Sequence, residues 1–303
     1  MRLGNTARGV FLLLAVLLLV FALVRDGDEV GRAFASLTVP GVLGSTLALG
    51  LGLFAQMLSW RALFHGSAAA DIPTRDAAHV YFVGQLGKYV PGSVWAVVAQ
   101  ADLARRHGVS RLQSATVALA ALAVLTVTGA AFSAVALAFG SRDAVATYWW
   151  ALLAVPVGAA VLWPPVFNRL IGLGMRLRRG MNAPPAVTTR GLARSAAWAL
   201  AMWVAFGVHA WLIAVDLGAD GPGEAAVVGG AFALAWVVGF LVVLAPAGAG
   251  PREAAFVLAL SPVMATGPAL GLALVSRVLM IVGDGVAAGA AWLVVRPRKA
   301  DRT

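Results

Sequence analysis

Cysteine is absent from this chain, which excludes disulfides, thiolate catalysis and cysteine-ligated metal sites. Charge is scarce too: only 12% of the 303 residues are Asp, Glu, Lys or Arg, and acids number 13 against 23 bases. No polar stretch exceeds that from about Asn168 to Arg194, too short to fold as a soluble domain. Also missing are His-Glu-x-x-His, a P-loop, a complete Gly-x-Gly-x-x-Gly and Gly-x-Ser-x-Gly. His65, His79 and His107 show no metal-ligand spacing. No catalytic residue, metal or cofactor is therefore expected, and the chain reads as a non-enzyme.

What is present is apolar. Hydrophobic residues make up 61% of the chain and the mean hydropathy is +0.87, far above a soluble domain of this size. The expectation is an all-α, polytopic membrane helical bundle forming one integral membrane domain over residues 1–303. A span needs about 20 apolar residues. The full-length candidates, about seven, are Val10–Val24, Pro40–Leu63, Leu112–Phe139, Thr147–Phe167, Arg194–Val215, Glu224–Leu244 and Pro268–Val295. The basic start and apolar Val10–Val24 imitate a secretory signal, but Ala33-Phe-Ala35 lies too far downstream for cleavage, so an uncleaved helix is expected.

Two further apolar pieces are interrupted. Residues 77–101 contain Gly84, Gly87, Lys88, Pro91 and Gly92, and residues 246–264 contain Pro246, Pro251, Arg252 and Glu253. If the first is re-entrant and the second a short broken crossing, most of the 23 basic residues fall on the cytoplasmic side, including the loop 168–194. Arg25, Arg32 and Arg142 fall outside, and Lys88, Arg252 and Arg277 lie within the membrane. Both termini are then cytoplasmic, in a cell (inner or plasma) membrane. The net charge of +10 is accounted for by basic loops facing anionic lipid. Spread over several loops, it gives no patch for nucleic acid. A broken charged segment followed by a long apolar helix occurs at Tyr81–Phe139 and again at Ala245–Val295, a pattern that points to transporter binding sites.

Charge at bilayer depth is costly, roughly 2.5–3.5 kcal/mol per residue on insertion scales, so its default reading is functional. Pro91 disfavours helix at Val90, so two half-helices are expected to meet near residues 90–92, with the second presenting unpaired N–H groups. Lys88 would add a point charge for an anion there, with Gln85, Tyr89 and Ser93 as hydrogen-bonding groups. The bland alternative is that Lys88 snorkels to an interface, with Tyr89 and Trp95 as aromatic anchors. Pro251 suits a first helical turn, placing Arg252 and Glu253 among unpaired N–H groups, and Arg suits bidentate phosphate recognition. A self-neutralising Arg252–Glu253 pair is the alternative.

In the last span Ser276, Arg277, Met280 and Asp284 share a face. Arg277 and Asp284 are about 10 Å apart along the axis, so a bridge needs a partner such as Glu253. Glu253, Arg277 and Asp284 are therefore read as a gating or charge network, with a structural inter-helix network as the alternative. Gly285 and Gly289 read as a helix-packing face, His209 as a helix-packing or interfacial histidine, and Asp102 as solvated or interfacial.

Gly84-Gln-Leu-Gly-Lys-Tyr-Val-Pro-Gly-Ser-Val-Trp95 together with Pro246-Ala-Gly-Ala-Gly-Pro-Arg-Glu-Ala254 resembles the two signature segments of the lysylphosphatidylglycerol synthase transmembrane region family, also called flippase-like domain proteins. Ala247, Ala249 and Pro251 depart from the usual second segment. The resemblance implies a polytopic inner-membrane fold with re-entrant elements and movement of a phospholipid between leaflets. With the chain ending at Thr303, the aminoacyl-transferase domain of the fused members is not expected. The resulting expectation is a lipid translocase-like protein whose midplane site binds an anionic head group, of a phospholipid or a polyprenyl-phosphate derivative, on Lys88 and Arg252. The lipid gradient, or protons on Glu253 or Asp284, would drive it. A lipid-binding accessory subunit of a glycosyltransferase or lipid-modifying enzyme is the alternative.

Overall fold

The computed structural model describes residues 27–66, 72–89, 95–140, 152–176, 186–241 and 250–295. All regular elements among them are helical. In chain order they are α1 (Gly27–Ala35), α2 (Val39–Ala62), α3 (Thr74–Gln85), α4 (Trp95–Ala104), α5 (Arg111–Gly140), α6 (Ala154–Val161), α7 (Pro164–Arg176), α8 (Thr189–Asp216), α9 (Pro222–Leu241), α10 (Pro251–Leu260) and α11 (Thr266–Val295). A 3₁₀ turn, Leu86–Tyr89, follows α3 directly. Five of these helices, α2, α5, α8, α9 and α11, are long and apolar enough to cross a membrane.

The antiparallel pair α2/α8 is the frame. Thr38 caps α2 by accepting from Gly41 N–H, and its own N–H and hydroxyl donate to Asp216 at the far end of α8, both at 2.9 Å. At the other end Thr188 caps α8 and donates to the His65 carbonyl just after α2. Each helix start is thus tied to its neighbour's end, by the N–H and hydroxyl of Thr38 at one end and by the hydroxyl of Thr188 at the other. Between these staples Ser59 bonds Ser195, and Gly52 leaves room for the Phe206 ring. On α2, Val39, Leu43, Leu47, Leu51 and Phe54 face outward at helical spacing, an apolar stripe suited to lipid.

Further helices are added by close approach. Gly207 of α8 meets Gly229 of α9, and Gly129 of α5 lies under Trp203, whose indole N–H donates to Thr128 at 3.1 Å. On α11, Gly271 faces Ala33 of α1 and Gly283 faces Leu49 of α2. Small residues let backbones approach where no water drives association.

Several expectations need correcting. The straight span Thr147–Phe167 does not form: from residue 152 onward the chain makes α6, breaks at Leu162-Trp163 and turns by 75° into α7. Pro164 and Pro165 explain the break, since proline favours a first helical turn and cannot continue the preceding one. Of the basic loop expected over 168–194, Asn168–Arg176 lie in α7 and Thr189–Arg194 in α8, while residues 177–185 lie outside the described residues. Arg32, placed in a loop, lies on α1. Gly285 and Gly289 are exposed and meet nothing within 4 Å among the described residues, so no helix packs on that face there. Val10–Val24 lies outside the described residues.

Candidate functional site

The first broken segment doubles back. Helix α3 has 12 residues, about 18 Å, and α4 has 10, about 15 Å, so neither crosses a bilayer alone. Gly84 on α3 lies against the backbone of Gln100 on α4, and Gly87 in the 3₁₀ turn lies against the backbone of Trp95 and Ala96. Rising numbers on one arm meet falling numbers on the other, so the arms are antiparallel. A Cβ at Gly87 would overlap backbone atoms, so glycine is required for this close approach.

The tip of this hairpin reaches α11. Lys88 Nζ lies 2.6 Å from Asp284 Oδ2, and the Tyr89 hydroxyl donates to the same oxygen at 2.5 Å. Asp284 is 4% exposed, so its carboxylate depends on these two donors. Lys88 also lies 5.3 Å from the Tyr89 ring centroid. The expected bridge through Glu253 to Asp284 is not formed; Lys88 takes that place. Gln85 points elsewhere, donating to Tyr81 one turn back on α3. Ser93, with Pro91 and Gly92, lies outside the described residues.

The second broken segment meets the same face of α11. Gly250 has φ 90°, a left-handed conformation favouring glycine, and its N–H donates to Glu253 Oε2 at 2.7 Å. That bond closes the start of α10, while Glu253 Oε1 accepts from Arg277 at 3.1 Å. Both carboxylate oxygens of Glu253 are thereby occupied. Arg252, adjacent in sequence, takes neither. Its guanidinium donates to the Met280 sulfur at 3.0 Å and stacks over the Phe232 ring at 5.1 Å.

Met280 lies one turn from both Arg277 and Asp284, so Glu253, Arg252 and Lys88 contact successive levels of one α11 face. Helical periodicity gathers the residues of that face; only packing brings the two broken segments to it. Beside Arg252 lies a small, open-mouthed cleft, with room for a water-sized group, lined by Phe232, Arg252, Glu253, Phe256, Ser276 and Arg277. Lys88 is not among the lining residues and stands one level further along α11.

Three cations, Lys88, Arg252 and Arg277, face two carboxylates, Glu253 and Asp284. Both carboxylates form salt bridges with the outer two cations. Arg252 has no carboxylate within salt-bridge distance among the described residues. Among the described residues this half-buried guanidinium is held by a thioether and an aromatic face, with no counter-charge in contact.

His209 is fully buried on α8, with packing contacts as read, and joins the cleft through Ser276. Ser45 Oγ donates to the His209 carbonyl at 3.0 Å, so at the 2.7 Å contact between Ser45 Oγ and His209 Nδ1 the ring N–H is the donor. His209 Nε2 then accepts from the Ser276 hydroxyl at 2.9 Å. The proton of Ser276 is committed to histidine, and its lone pairs remain. The sequence placed Ser276 beside Arg277 but carried no sign of Phe232, whose ring lies between His209 and Arg252. Asp102 is paired with Arg111 at 3.0 Å on the exposed surface, as its solvated reading anticipated.

The family model described as Lysylphosphatidylglycerol synthase TM region matches residues 9–287. No match is found among curated proteins.

Proposed function

The chain belongs to the lysylphosphatidylglycerol synthase TM-region family, and from that premise we propose that it binds a lipid with a singly charged phosphate head group in the Arg252 cleft and moves it between leaflets. The single observation carrying this reading is Arg252, the cation left over after Glu253 and Asp284 have formed their salt bridges. A monoanion brings the cluster to neutrality, whereas a dianion leaves it over-compensated. Arg252 would take the phosphate through its planar fork, with the acyl chains leaving through the open mouth of the cleft. Lys88–Asp284–Tyr89 would act as the second, closed joint. Opening that joint would let the re-entrant hairpin rock against α11 and pass the head group along one helix face. The basic helix ends would face the cytoplasm.

Reconstituted vesicles with a fluorescent phosphodiester lipid test this. Arg252→Gln should abolish protein-dependent head-group transfer, and Lys88→Gln combined with it should add nothing further. Transfer that persists in Arg252→Gln sinks the proposal. Retention of lipid by the wild type without any transfer favours instead an accessory subunit that presents lipid to a partner enzyme.

A further inference from the structure

Between Asp143 and Asp216 the chain contains no acid, yet it holds Arg169, Arg176, Arg178, Arg179, Arg190 and Arg194. Of these, Arg169, Arg190 and Arg194 do not line the Arg252 cleft. Helix α7 lies within this stretch, has 13 residues, about 20 Å, and is turned 75° from α6. It is too short to cross about 30 Å of hydrocarbon.

Its sides are unequal. Trp163, just before the helix, and Leu170 and Leu173 on it are 61%, 48% and 61% exposed. At about 100° per residue these three fall within an arc of about 80°. Phe167, on the inner side, is 1% exposed and belongs to the core, and Ile171 packs against that core. Arg169 is exposed and lies about 40° beyond Leu173, along the outer margin of the apolar arc.

The depth of α7 is set by a separate contact. The Asn168 side chain exchanges two hydrogen bonds with the Val187 backbone, at 2.8 and 3.0 Å. Val187 directly precedes Thr188, the cap of α8, which in turn holds the His65 carbonyl beyond α2. Helix α7 therefore sits level with the ends of two spanning helices. Exposed Arg190 and Arg194 emerge at the same level, and neither they nor Arg169 meets a carboxylate among the described residues.

We propose that α7 is an interfacial helix and that, with Arg169, Arg190 and Arg194, it forms a docking surface for an anionic phospholipid leaflet, separate from the Arg252 cleft. Trp163, Leu170 and Leu173 enter the upper acyl region, and the arginines meet the phosphates. An amphipathic edge flanked by unpaired cations, held at the helix ends, is complementary to such a leaflet in polarity and in charge.

Because the chain has no cysteine, Leu173→Cys carrying a nitroxide reports depth without background. In bilayers containing phosphatidylglycerol, the label is expected just below the phosphates. A label at the bilayer centre, or one in bulk water, overturns the proposal. Separately, Arg169→Gln/Arg190→Gln/Arg194→Gln should reduce the preference of boundary lipid for phosphatidylglycerol over phosphatidylcholine at least about threefold, since each arginine near a charged leaflet is worth up to roughly fivefold. An unchanged preference refutes the docking surface. Should the triple variant fail to fold, the nitroxide depth and the loss of wild-type preference in high salt decide the matter. Both readouts are independent of head-group transfer.

Discussion

Replacing Asp284 by Asn tests how the broken hairpin is held against α11. Opposite unit charges about 4 Å apart attract by about 4 kcal/mol at an effective dielectric of about 20, and the Lys88–Asp284 contact is closer, at 2.6 Å. Part of that attraction is recovered by water once the partner is lost, because the Lys88 side chain keeps 31% exposure. Asp284→Asn, which still accepts from Tyr89, should therefore destabilise by about 2 kcal/mol. Lys88→Met should cost more, about 3 kcal/mol, because it strands a carboxylate that is only 4% exposed. The double variant should fall short of the sum by about 2 kcal/mol. Reversible unfolding by SDS in mixed micelles, followed by tryptophan fluorescence, measures all three. Additive single-variant costs, or Asp284→Asn costing more than Lys88→Met, would refute the reasoning.

Glu253→Gln raises the charge of the cluster from one net positive to two, so native mass spectrometry should find phosphatidic acid retained over phosphatidylglycerol, the reverse of wild type. His209→Leu removes the bridge between Ser45 and Ser276 and should cost about 1–3 kcal/mol in the same SDS titration. Gly87→Ala forces a methyl group into the Trp95–Ala96 backbone and should cost about 1–3 kcal/mol, whereas Gly31→Ala, with nothing within 4 Å among the described residues, should be close to neutral. A cysteine at Leu86 should become more reactive toward a membrane-impermeant reagent in Gly87→Ala; unaltered reactivity would show that the hairpin tolerates the methyl group.

Much of the architecture is legible in the sequence. The five long apolar helices lie within a few residues of where hydropathy places them, because a span must satisfy its own backbone and its length is set by the bilayer. The elements that escaped notice, α1 and α7, are short and amphipathic. An apolar-run criterion passes over such helices, and their positions depend on contacts such as Asn168 with Val187. The double proline at Pro164 was visible in the sequence, but the flanking hydrophobicity outweighed it in the reading of Thr147–Phe167.

For the site, Lys88, Arg252, Glu253, Arg277 and Asp284 stood out because charge inside apolar helices is rare and expensive. Their partners did not. Tyr89 meets Asp284 across 195 positions of sequence, and no local pattern reports a contact of that separation. Adjacency even misleads, since Glu253 beside Arg252 looks self-neutralising but turns to Gly250 and Arg277 instead.

By itself the sequence determined an all-helical membrane protein with broken segments at two glycine- and proline-rich sites and cations set within apolar stretches, since helix periodicity, span length and chain breaks are local properties. Tertiary structure alone decided which cation meets which carboxylate. The hairpin tip packs on α11 at Asp284, the start of α10 turns its carboxylate onto Arg277, and Arg252 is left against sulfur and an aromatic ring. Pairing at such range depends on how helices cross, which only the assembled bundle specifies.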